Sequence, residues 1–523
     1  MKSYYILWVL PVFMFVLFSS VILADAVQIE GSERIFEIRG SEAGEHLGRP
    51  LLCADVDGDG FDDVFVGADR WSFEVDERPT LYAFSGKLLY TDFPEGLVEL
   101  ASDSPHCLIY GETASDDFPN SLSSGDVNND GIADLIAADS TLTVSGRTQA
   151  GAIYVLFGRA DFFNDPTCDL QNGDWDVKIY GENAYDDLGG AGMAPFGGGT
   201  SHALATGDVN NDGICDILAG AHFADVDSKS LAGSVYVLFG KTSFSHGDTI
   251  DLRTQADAVI EGNEEDAELG TDICTGDLNG DGVDDVILGE ELSSESLWSS
   301  EGKVFAIWGG SGFPSSMSVS SADMTIRGAV KGDQLGDAVA VSDVNGDGTG
   351  DLVALAYGWD HAGHSTTDEG AVYGFFGASD LPATIDLAYQ SADFFVEGYN
   401  VSNSLYWTLD SGDYNGDGVG DFMCTSRDGE RPGYNAEGRT HLFLGRDSFP
   451  SSFSVEQEDM DVIINGGEDN LQLCDTFSSG DMDGDGADEL LLGAPFADSG
   501  TGRLMIFDLN PRLSASPSWA MYE

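Results

Sequence analysis

A nine-residue pattern recurs seven times along this chain of 523 residues. Each copy has Asp at position 1, Asp or Asn at position 3, Asp-Gly at positions 5 and 6, and Asp or Glu at position 9. The copies begin at Asp55, Asp126, Asp208, Asp277, Asp343, Asp413 and Asp481, so their starts lie 66 to 82 residues apart. A fixed period of this size indicates one supersecondary unit repeated seven times. The chain is therefore predicted to be a single repeat array.

The side chains of the pattern are hard oxygen donors. Carboxylates or amides at positions 1, 3, 5 and 9, with the backbone carbonyl of position 7, form an oxygen cage suited to Ca²⁺. An EF-hand would need a bidentate Glu at position 12. That position holds Val66, Ala137, Ala219, Leu288, Ala354, Cys424 and Leu492. Apolar runs follow position 9 directly, so each loop is predicted to join two strands and to turn through positive φ at glycines such as Gly346 and Gly348.

About seven Ca²⁺ ions are expected, one in each loop, with position 7 included for its carbonyl. The predicted ligands are Asp55, Asp57, Asp59, Phe61 and Asp63; Asp126, Asn128, Asp130, Ile132 and Asp134; Asp208, Asn210, Asp212, Ile214 and Asp216; Asp277, Asn279, Asp281, Val283 and Asp285; Asp343, Asn345, Asp347, Thr349 and Asp351; Asp413, Asn415, Asp417, Val419 and Asp421; and Asp481, Asp483, Asp485, Ala487 and Glu489.

Each unit also contains four short apolar runs separated by turn residues. In the fifth unit these runs are Ala338–Val341, Leu352–Ala356, Val372–Phe376 and Phe394–Glu397. Four strands repeated seven times predict an all-β, seven-bladed β-propeller with four-stranded antiparallel blades. The segment Phe36–Gly40 has the fourth-strand pattern but precedes the first loop, and the last unit stops after its third strand. The N-terminal strand is therefore predicted to pair with the last blade and close the ring.

Acidic residues outnumber basic ones by 92 to 22, which gives a formal net charge of −70. The acids are spread along the chain, as on a solvated acidic surface. Such a field repels nucleic acid and anionic lipid surfaces and favours a soluble monomer. We therefore expect no nucleic-acid partner.

Residues 1–24 have the features of an export signal. Lys2 precedes an apolar run to Leu23, and small residues follow at Ala24 and Ala26. The apolar run approaches the length of a bilayer span, so an uncleaved anchor is the alternative, and only then would the chain contact a membrane. Either interpretation predicts a secreted or cell-surface protein. Residues 511–523 are expected to form a polar tail. The seven cysteines are expected to be mainly buried thiols, with one or two disulfides possible.

The repeated unit resembles the FG-GAP repeat, which occurs in the integrin α-subunit head and in many secreted bacterial proteins. The resemblance is carried by Phe157-Gly158, Phe239-Gly240, Phe376-Gly377 and Gly493-Ala494-Pro495 together with the seven loops. It covers residues 33–510 and implies a seven-bladed propeller with calcium in hairpin loops on one face. Unlike the integrin pattern, every unit here carries the loop, and no leg domains follow the propeller in this sequence.

These features predict a calcium-binding recognition or adhesion module for an extracellular protein or glycan. The alternatives are a lectin-like propeller, a propeller associated with a hydrolase or lyase, and a purely structural extracellular scaffold. The sequence contains no G-x-S-x-G, no H-E-x-x-H and no Cys/His constellation, so the chain is predicted not to be an enzyme. A partner is expected on the face opposite the acidic loops, where segments of variable length converge. The candidate anchors are Trp71, Trp298, Trp359 and Tyr434.

Overall fold

The computed structural model of the chain describes residues 26–68, 78–113, 117–190, 202–290, 292, 300–360, 368–399, 404–405, 408–430 and 432–510. In these residues 35 strands form seven five-stranded sheets. We number the sheets as blades 1 to 7 after the acidic loop that each contains. The predicted seven-bladed, all-β propeller is confirmed.

The strands of each blade are given in sheet order, from first to fifth. Blade 1 contains Leu47–Ala54, Asp63–Ala68, Thr80–Phe84, Cys107–Tyr110 and Thr167–Asp169; blade 2 contains Leu122–Gly125, Asp134–Asp139, Ala152–Leu156, Val177–Tyr180 and Asp248–Asp251. Blade 3 contains Leu204–Gly207, Asp216–Ala221, Ser234–Leu238, Ala258–Glu261 and Met317–Ser318; blade 4 contains Ile273–Gly276, Asp285–Glu290, Lys303–Ile307, Met324–Arg327 and Thr384–Asp386.

The remaining blades follow the same order. Blade 5 contains Leu335–Ser342, Asp351–Ala356, Ala371–Phe375, Phe394–Glu397 and Phe453–Ser454; blade 6 contains Leu409–Gly412, Asp421–Ser426, Arg439–Phe443, Val462–Asn465 and Val27–Glu30; blade 7 contains Thr476–Gly480, Glu489–Ala494, Arg503–Phe507, Phe36–Arg39 and Leu97–Glu99. Short helices span Gly86–Asp92, Leu252–Gln255 and Ala497–Gly500, and 3₁₀ turns span Gly31–Glu33, Phe162–Asn164, Leu170–Asn172 and Val319–Ser321.

The fifth strand of each blade is a feature that the sequence did not predict. It runs parallel to the fourth strand and comes from the third-to-fourth connection of the next blade. In blade 1, for example, Thr167–Asp169 pairs with Cys107–Tyr110 although it lies between strands of blade 2. A fourth strand left at the rim would expose its unpaired backbone groups, and the fifth strand covers that edge. Adjacent blades are therefore hydrogen-bonded to each other along the rim.

The N-terminal segment closes the ring, as predicted, and it does so twice. Phe36–Arg39 is the antiparallel fourth strand of blade 7, with Phe36 opposite Ile506 and Arg39 opposite Arg503. Val27–Glu30, just before it and ahead of the predicted propeller start at residue 33, is the parallel fifth strand of blade 6. The segment thus fills the place that a third-to-fourth connection fills in the other blades.

A buried carboxylate fastens this closure. Glu37 is only 1% exposed and accepts hydrogen bonds from Arg39 at 3.0 and 3.1 Å, and Arg503 lies 3.4 Å away across the seam. Burial alone would raise the pKa of Glu37, but the bonds from Arg39 and the charge of Arg34 outweigh it, and the pKa is lowered. The strand Phe36–Arg39 is therefore held by ion pairs as well as by its backbone hydrogen bonds to the third strand of blade 7.

The hydrophobic core lies between blades. Second and third strands are buried along their whole length, and their side chains mesh with those of the next sheet. Phe65 of blade 1 and Tyr154 of blade 2 share one cluster, and Phe394 of blade 5 stacks at 5.4 Å on Phe422 of blade 6. The seven cysteines are free thiols. Across the part of the chain that the structure describes, no helix is long and apolar enough to cross a membrane. Residues 1–24 lie outside that part.

Candidate metal centres

All seven acidic loops lie on one face of the propeller, which we call the loop face. Each loop connects the first strand of its blade to the second, and position 9 is the first residue of the second strand in every blade. The first strands surround the central axis and run in the same sense, so their ends bring the loops together in a ring. The second-to-third connections and the links between blades emerge on the opposite face.

One hydrogen-bonding scheme recurs in all seven loops. The position 1 carboxylate accepts the N–H groups of positions 5 and 6 at 2.8 to 3.1 Å. The position 5 carboxylate accepts the N–H of position 7 at 2.9 to 3.2 Å. The positive φ predicted for the loop glycines is confirmed, with values of 72° at Gly346 and 89° at Gly348. The chain thus wraps around its own carboxylates.

In loops 1 to 6 the position 9 carboxylate ties the loop to the residues that follow the third strand of its blade. In loop 2, Asp134 is fully buried and accepts the N–H of Val127 at 3.0 Å and that of Gly158 at 2.9 Å. Gly158 is the glycine of a Phe-Gly pair, and a Cβ there would lie 2.3 Å from the carbonyl oxygen of Ala133. The equivalent bond occurs at Gly86, Gly240, Gly309, Gly377 and Gly445. The Phe-Gly glycine is therefore part of the site, a role that sequence reasoning missed.

Burial leaves the position 9 carboxyl groups poorly solvated when charged. Burial raises the pKa to about 8 for Asp63, to about 7 for Asp134, Asp216 and Asp351, and to about 6 for Asp285. The charges of neighbouring loop carboxylates contribute to the same upward shift. A nearby cation would favour the ionised form, so these groups are chemically suited to bind one.

Position 3 divides the loops into two types. Loops 2 to 6 have Asn there, and in loops 2 to 5 its Nδ2 donates to the position 9 carboxylate at 3.0 to 3.3 Å. Loops 1 and 7 have Asp57 and Asp483, which cannot donate in this way as carboxylates. In these two loops the oxygens of positions 1, 3 and 9 lie within 4.8 Å of one another. Burial and the neighbouring carboxylates raise the pKa of Asp57 and of Asp483.

The seventh loop differs from the others at position 9 and in the residue that follows its third strand. Glu489 replaces the usual Asp, and Asp508 follows Phe507 where a Phe-Gly glycine would stand. The Oε1 atom of Glu489 is buried without a hydrogen-bond partner, and burial raises the pKa of this carboxyl to about 8. All side-chain donors of the loop are oxygens, and one of them is buried and unsatisfied. The residues present therefore fit a hard divalent cation.

Three further aspartates join neighbouring loops, and the sequence analysis did not single them out. Asp62, Asp284 and Asp488 stand at position 8 of loops 1, 4 and 7. Each accepts the N–H of the position 1 residue in the preceding loop of the ring at 2.9 Å. The only sequence signal was the repeated pair of acids at positions 8 and 9. It gives no hint that one acid serves its own loop and the other its neighbour.

The predicted anchors on the opposite face are only partly described. Trp71 and Trp298 lie outside the described residues. Trp359 and Tyr434 lie in the second-to-third connections of blades 5 and 6, where they were predicted. The Trp359 ring packs against Phe395 with centroids 5.2 Å apart, and Tyr434 is half-buried. Their role in binding stays a prediction.

The fold and the ring of acidic loops define a class of protein, the seven-bladed β-propeller with an aspartate-rich hairpin loop in each blade. The family model of the FG-GAP repeat matches residues 118–156, 201–238, 269–304 and 475–507. These segments contain loops 2, 3, 4 and 7 with the strands on either side. The chain therefore contains FG-GAP repeats, and the predicted resemblance to this repeat is confirmed.

Curated relatives belong to two groups. The chain is 25% identical over 232 residues to phosphatidylinositol-glycan-specific phospholipase D of Dictyostelium discoideum, which covers 42% of this chain and 23% of the relative. It is 26% identical over 332 residues to the Bos taurus protein of the same name, covering 60% of this chain and 36% of the relative. Integrin alpha-4 of Xenopus laevis is 26% identical over 193 residues, or 36% of this chain and 16% of the integrin. The matches span about a third or less of these relatives.

The phospholipase matches contradict one prediction. The absence of familiar catalytic motifs led us to predict that the chain is not an enzyme, whereas several of its relatives are named for an enzymatic activity. The prediction failed because it relied on a few short motifs from other enzyme folds, which cannot exclude other chemistries.

Proposed function

We propose that this protein is a calcium-binding propeller that acts as a recognition or adhesion module after export. The observation that carries the proposal is the ring of seven loops with one shared hydrogen-bonding scheme on a single face. Each loop supplies carboxylate, amide and carbonyl oxygens at positions 1, 3, 5, 7 and 9, the donor set that Ca²⁺ takes in flexible loops. The similarity to integrin α subunits supports a role in binding another protein.

Calcium would act mainly on stability and rigidity. Each loop gathers three or four carboxylates, which repel one another when charged and uncompensated. An ion that binds only the folded loop stabilises the fold in proportion to its saturation. A rigid loop face would in turn hold the segments of the opposite face in fixed positions, where variable connections suit recognition.

Metal analysis of the full chain tests the first part. After dialysis against a chelator and then against millimolar Ca²⁺, elemental analysis should find about seven ions per chain, and thermal unfolding should move to higher temperature. A value of one ion or none would contradict the proposal. Protein and glycan binding screens with and without Ca²⁺ then test recognition. Alanine substitutions at Trp359 and Tyr434 should weaken binding to any ligand found without changing the ion count.

A second proposal rests on the phospholipase relatives. We infer that the chain recognises the phosphatidylinositol glycan for which these relatives are named, or takes part in its hydrolysis. This joins the lectin-like and hydrolase-associated interpretations of the sequence. The test is to incubate the purified chain with a glycosylphosphatidylinositol-anchored protein in Ca²⁺ and to measure both binding and release of the anchor. A full-length phospholipase of that name is the positive control, and absence of both signals would contradict this proposal alone.

A further inference from the structure

The acidic loops are joined to one another across the blade boundaries. In five of the seven loops the backbone N–H of position 8 donates to the position 1 carbonyl of the preceding loop at 2.8 to 3.3 Å. The residue after the Phe-Gly glycine donates to the position 2 carbonyl of the preceding loop as well, for example Arg159 to Val56 at 2.8 Å. The main chain of a candidate site is therefore bonded to that of its neighbour.

The three position 8 aspartates add a side-chain link at three boundaries. Asp62 of loop 1 accepts the N–H of Asp481 in loop 7, and Asp284 of loop 4 accepts that of Asp208 in loop 3. Asp488 of loop 7 accepts that of Asp413 in loop 6. Each bond is 2.9 Å long and ends on a residue that is itself a predicted ligand. The four other loops have Ala133, Cys215, Gly350 or Gly420 at position 8, which offer no carboxylate.

Side-chain sizes at these boundaries complement each other. Each of the three aspartates packs over a glycine that precedes the neighbouring loop, and a Cβ on that glycine would lie 2.5 to 2.9 Å from a carboxylate oxygen. The arrangement is reversed between loops 5 and 6. There Gly420 holds position 8 and the neighbour is Ser342, whose Oγ would lie 1.9 Å from a Cβ on Gly420. Adjacent loops are thus in direct contact, so one loop cannot move far without its neighbour.

From these contacts we propose that cation binding is coupled between adjacent loops, and that Asp62, Asp284 and Asp488 are the positioning residues that strengthen this coupling at three boundaries. The inference rests on the proposed calcium function. The buried, unpartnered Oε1 of Glu489 independently indicates a missing ligand at loop 7, next to two of the three links. An ion that orders loop 4 would fix Asp284, which fixes the backbone of Asp208 and prepares loop 3.

Hydrogen-exchange mass spectrometry of the full chain can resolve the loops one by one. The protection of residues 208–216 (loop 3) and of residues 413–421 (loop 6) is measured as free Ca²⁺ is raised. For each loop this gives a midpoint, which is the free Ca²⁺ concentration at half-maximal protection. Asp281→Ala then disables loop 4. The midpoint of loop 3 should rise about fivefold or more, in the range of ordinary coupling free energies, while that of the distant loop 6 stays unchanged. Exchange without Ca²⁺ and the far-ultraviolet circular dichroism spectrum serve as folding controls.

A double-variant cycle assigns the effect to Asp284. In the Asp284→Ala background, Asp281→Ala should shift the Ca²⁺ midpoint of loop 3 much less. In the Asp284→Asn background, which keeps an acceptor oxygen, most of that shift should remain. An internal comparison is Asp130→Ala in loop 2 with loop 1 as readout, since the side chain of Ala133 at that boundary cannot accept a hydrogen bond. Asp161→Ala on the same face, with a side chain 69% exposed, controls for the loss of one charge.

The outcomes separate the two proposals. Calcium-dependent protection with independent midpoints in all loops would overturn the coupling and leave calcium binding intact. A full shift that persists in Asp284→Ala would overturn the assignment to the aspartates. No calcium-dependent protection in any loop would overturn the proposed function and this inference together.

Discussion

Single residues decide how an acidic loop is held. Positions 1, 5 and 6 could be assigned their place from the sequence alone, because their hydrogen bonds are local and repeat with the motif. The Phe-Gly glycine and the position 8 aspartates could not, because their partners lie in another strand or another blade. Gly158 is 24 residues from Asp134, and Asp62 is 419 residues from Asp481. Local pattern carries no information about contacts at such separations.

Replacing a Phe-Gly glycine should be costly. In Gly158→Ala the new Cβ would lie 2.3 Å from the Ala133 carbonyl oxygen, so the loop or the third strand must shift. We expect a loss of about 1 to 3 kcal/mol in the free energy of unfolding, as for other overpacked sites. Denaturant unfolding in Ca²⁺ measures it. Gly312→Ala, where a Cβ meets nothing within 4 Å, is the matched control, and equal stability of the two variants would contradict the argument.

Position 3 offers a second test. Asp57→Asn converts loop 1 to the type found in loops 2 to 5 and removes one of its crowded carboxylates. The metal-free variant should be more stable than the parent chain, because like-charge repulsion falls and the amide can donate to Asp63. Its gain in melting temperature on adding Ca²⁺ should be smaller, because the loop has lost a charged ligand. Scanning calorimetry with chelator and with Ca²⁺ would refute this if both differences had the opposite sign.

At the scale of the element, strands with a clear apolar pattern were predictable and strands without one were not. The first four strands of a blade contain runs of apolar residues that recur with the repeat. The fifth strands are two to four residues long and are taken from connections rich in turn residues, as in Met317–Ser318. Pairing with the rim of the preceding blade makes them strands, so tertiary context rather than local preference defines them.

The acidic loops should make the metal-free protein sensitive to pH. Burial raises the pKa of six position 9 carboxyls to about 6 to 8 in the folded chain, whereas such groups titrate near 4 when unfolded, so the folded state binds more protons between these values. Stability is therefore lost as pH rises through the folded pKa. We expect a lower melting temperature at pH 8.5 than at pH 6.5 in chelator, and a smaller difference in Ca²⁺.

Two buried histidines change the pH dependence of stability in the opposite direction, but at lower pH. Burial lowers the pKa of His222 to about 4 and that of His441 to about 3. The unfolded chain protonates these imidazoles below about pH 6.5, so their effect on stability falls mainly below the proposed window. A melting temperature that rises from pH 6.5 to 8.5 in chelator would show that the position 9 carboxyls are ionised in the folded protein without metal.

For the whole molecule, closure of the ring was predictable because the displaced fourth-strand pattern at Phe36 and the missing last strand complement each other. The second closing strand, Val27–Glu30, follows from the same geometry but had no sequence signature. Deleting residues 27–40 removes both strands and exposes the edges of blades 6 and 7. Thermal unfolding should then start at a markedly lower temperature.

A shorter deletion separates the two contributions. Removing residues 26–33 takes away only the parallel strand of blade 6 and keeps Glu37 with its arginine partners. This variant should lose less stability than the longer deletion, because the four-stranded blades and the buried ion pairs remain. Equal melting temperatures for the two variants would assign the closure to Val27–Glu30 instead. An unchanged melting temperature in both would contradict closure by this segment.

The position of the closing strands also fixes an order of assembly. A ribosome makes the strands Val27–Glu30 and Phe36–Arg39 long before it makes their partners in blades 6 and 7. Asn465 donates to the side chain of Gln28 from 437 residues away. Blades 1 to 5 can form from neighbouring segments, whereas the seam must wait until blades 6 and 7 exist, and contacts of such high separation slow folding. The last step in folding this ring is therefore the pairing of the N-terminal strands with blades 6 and 7.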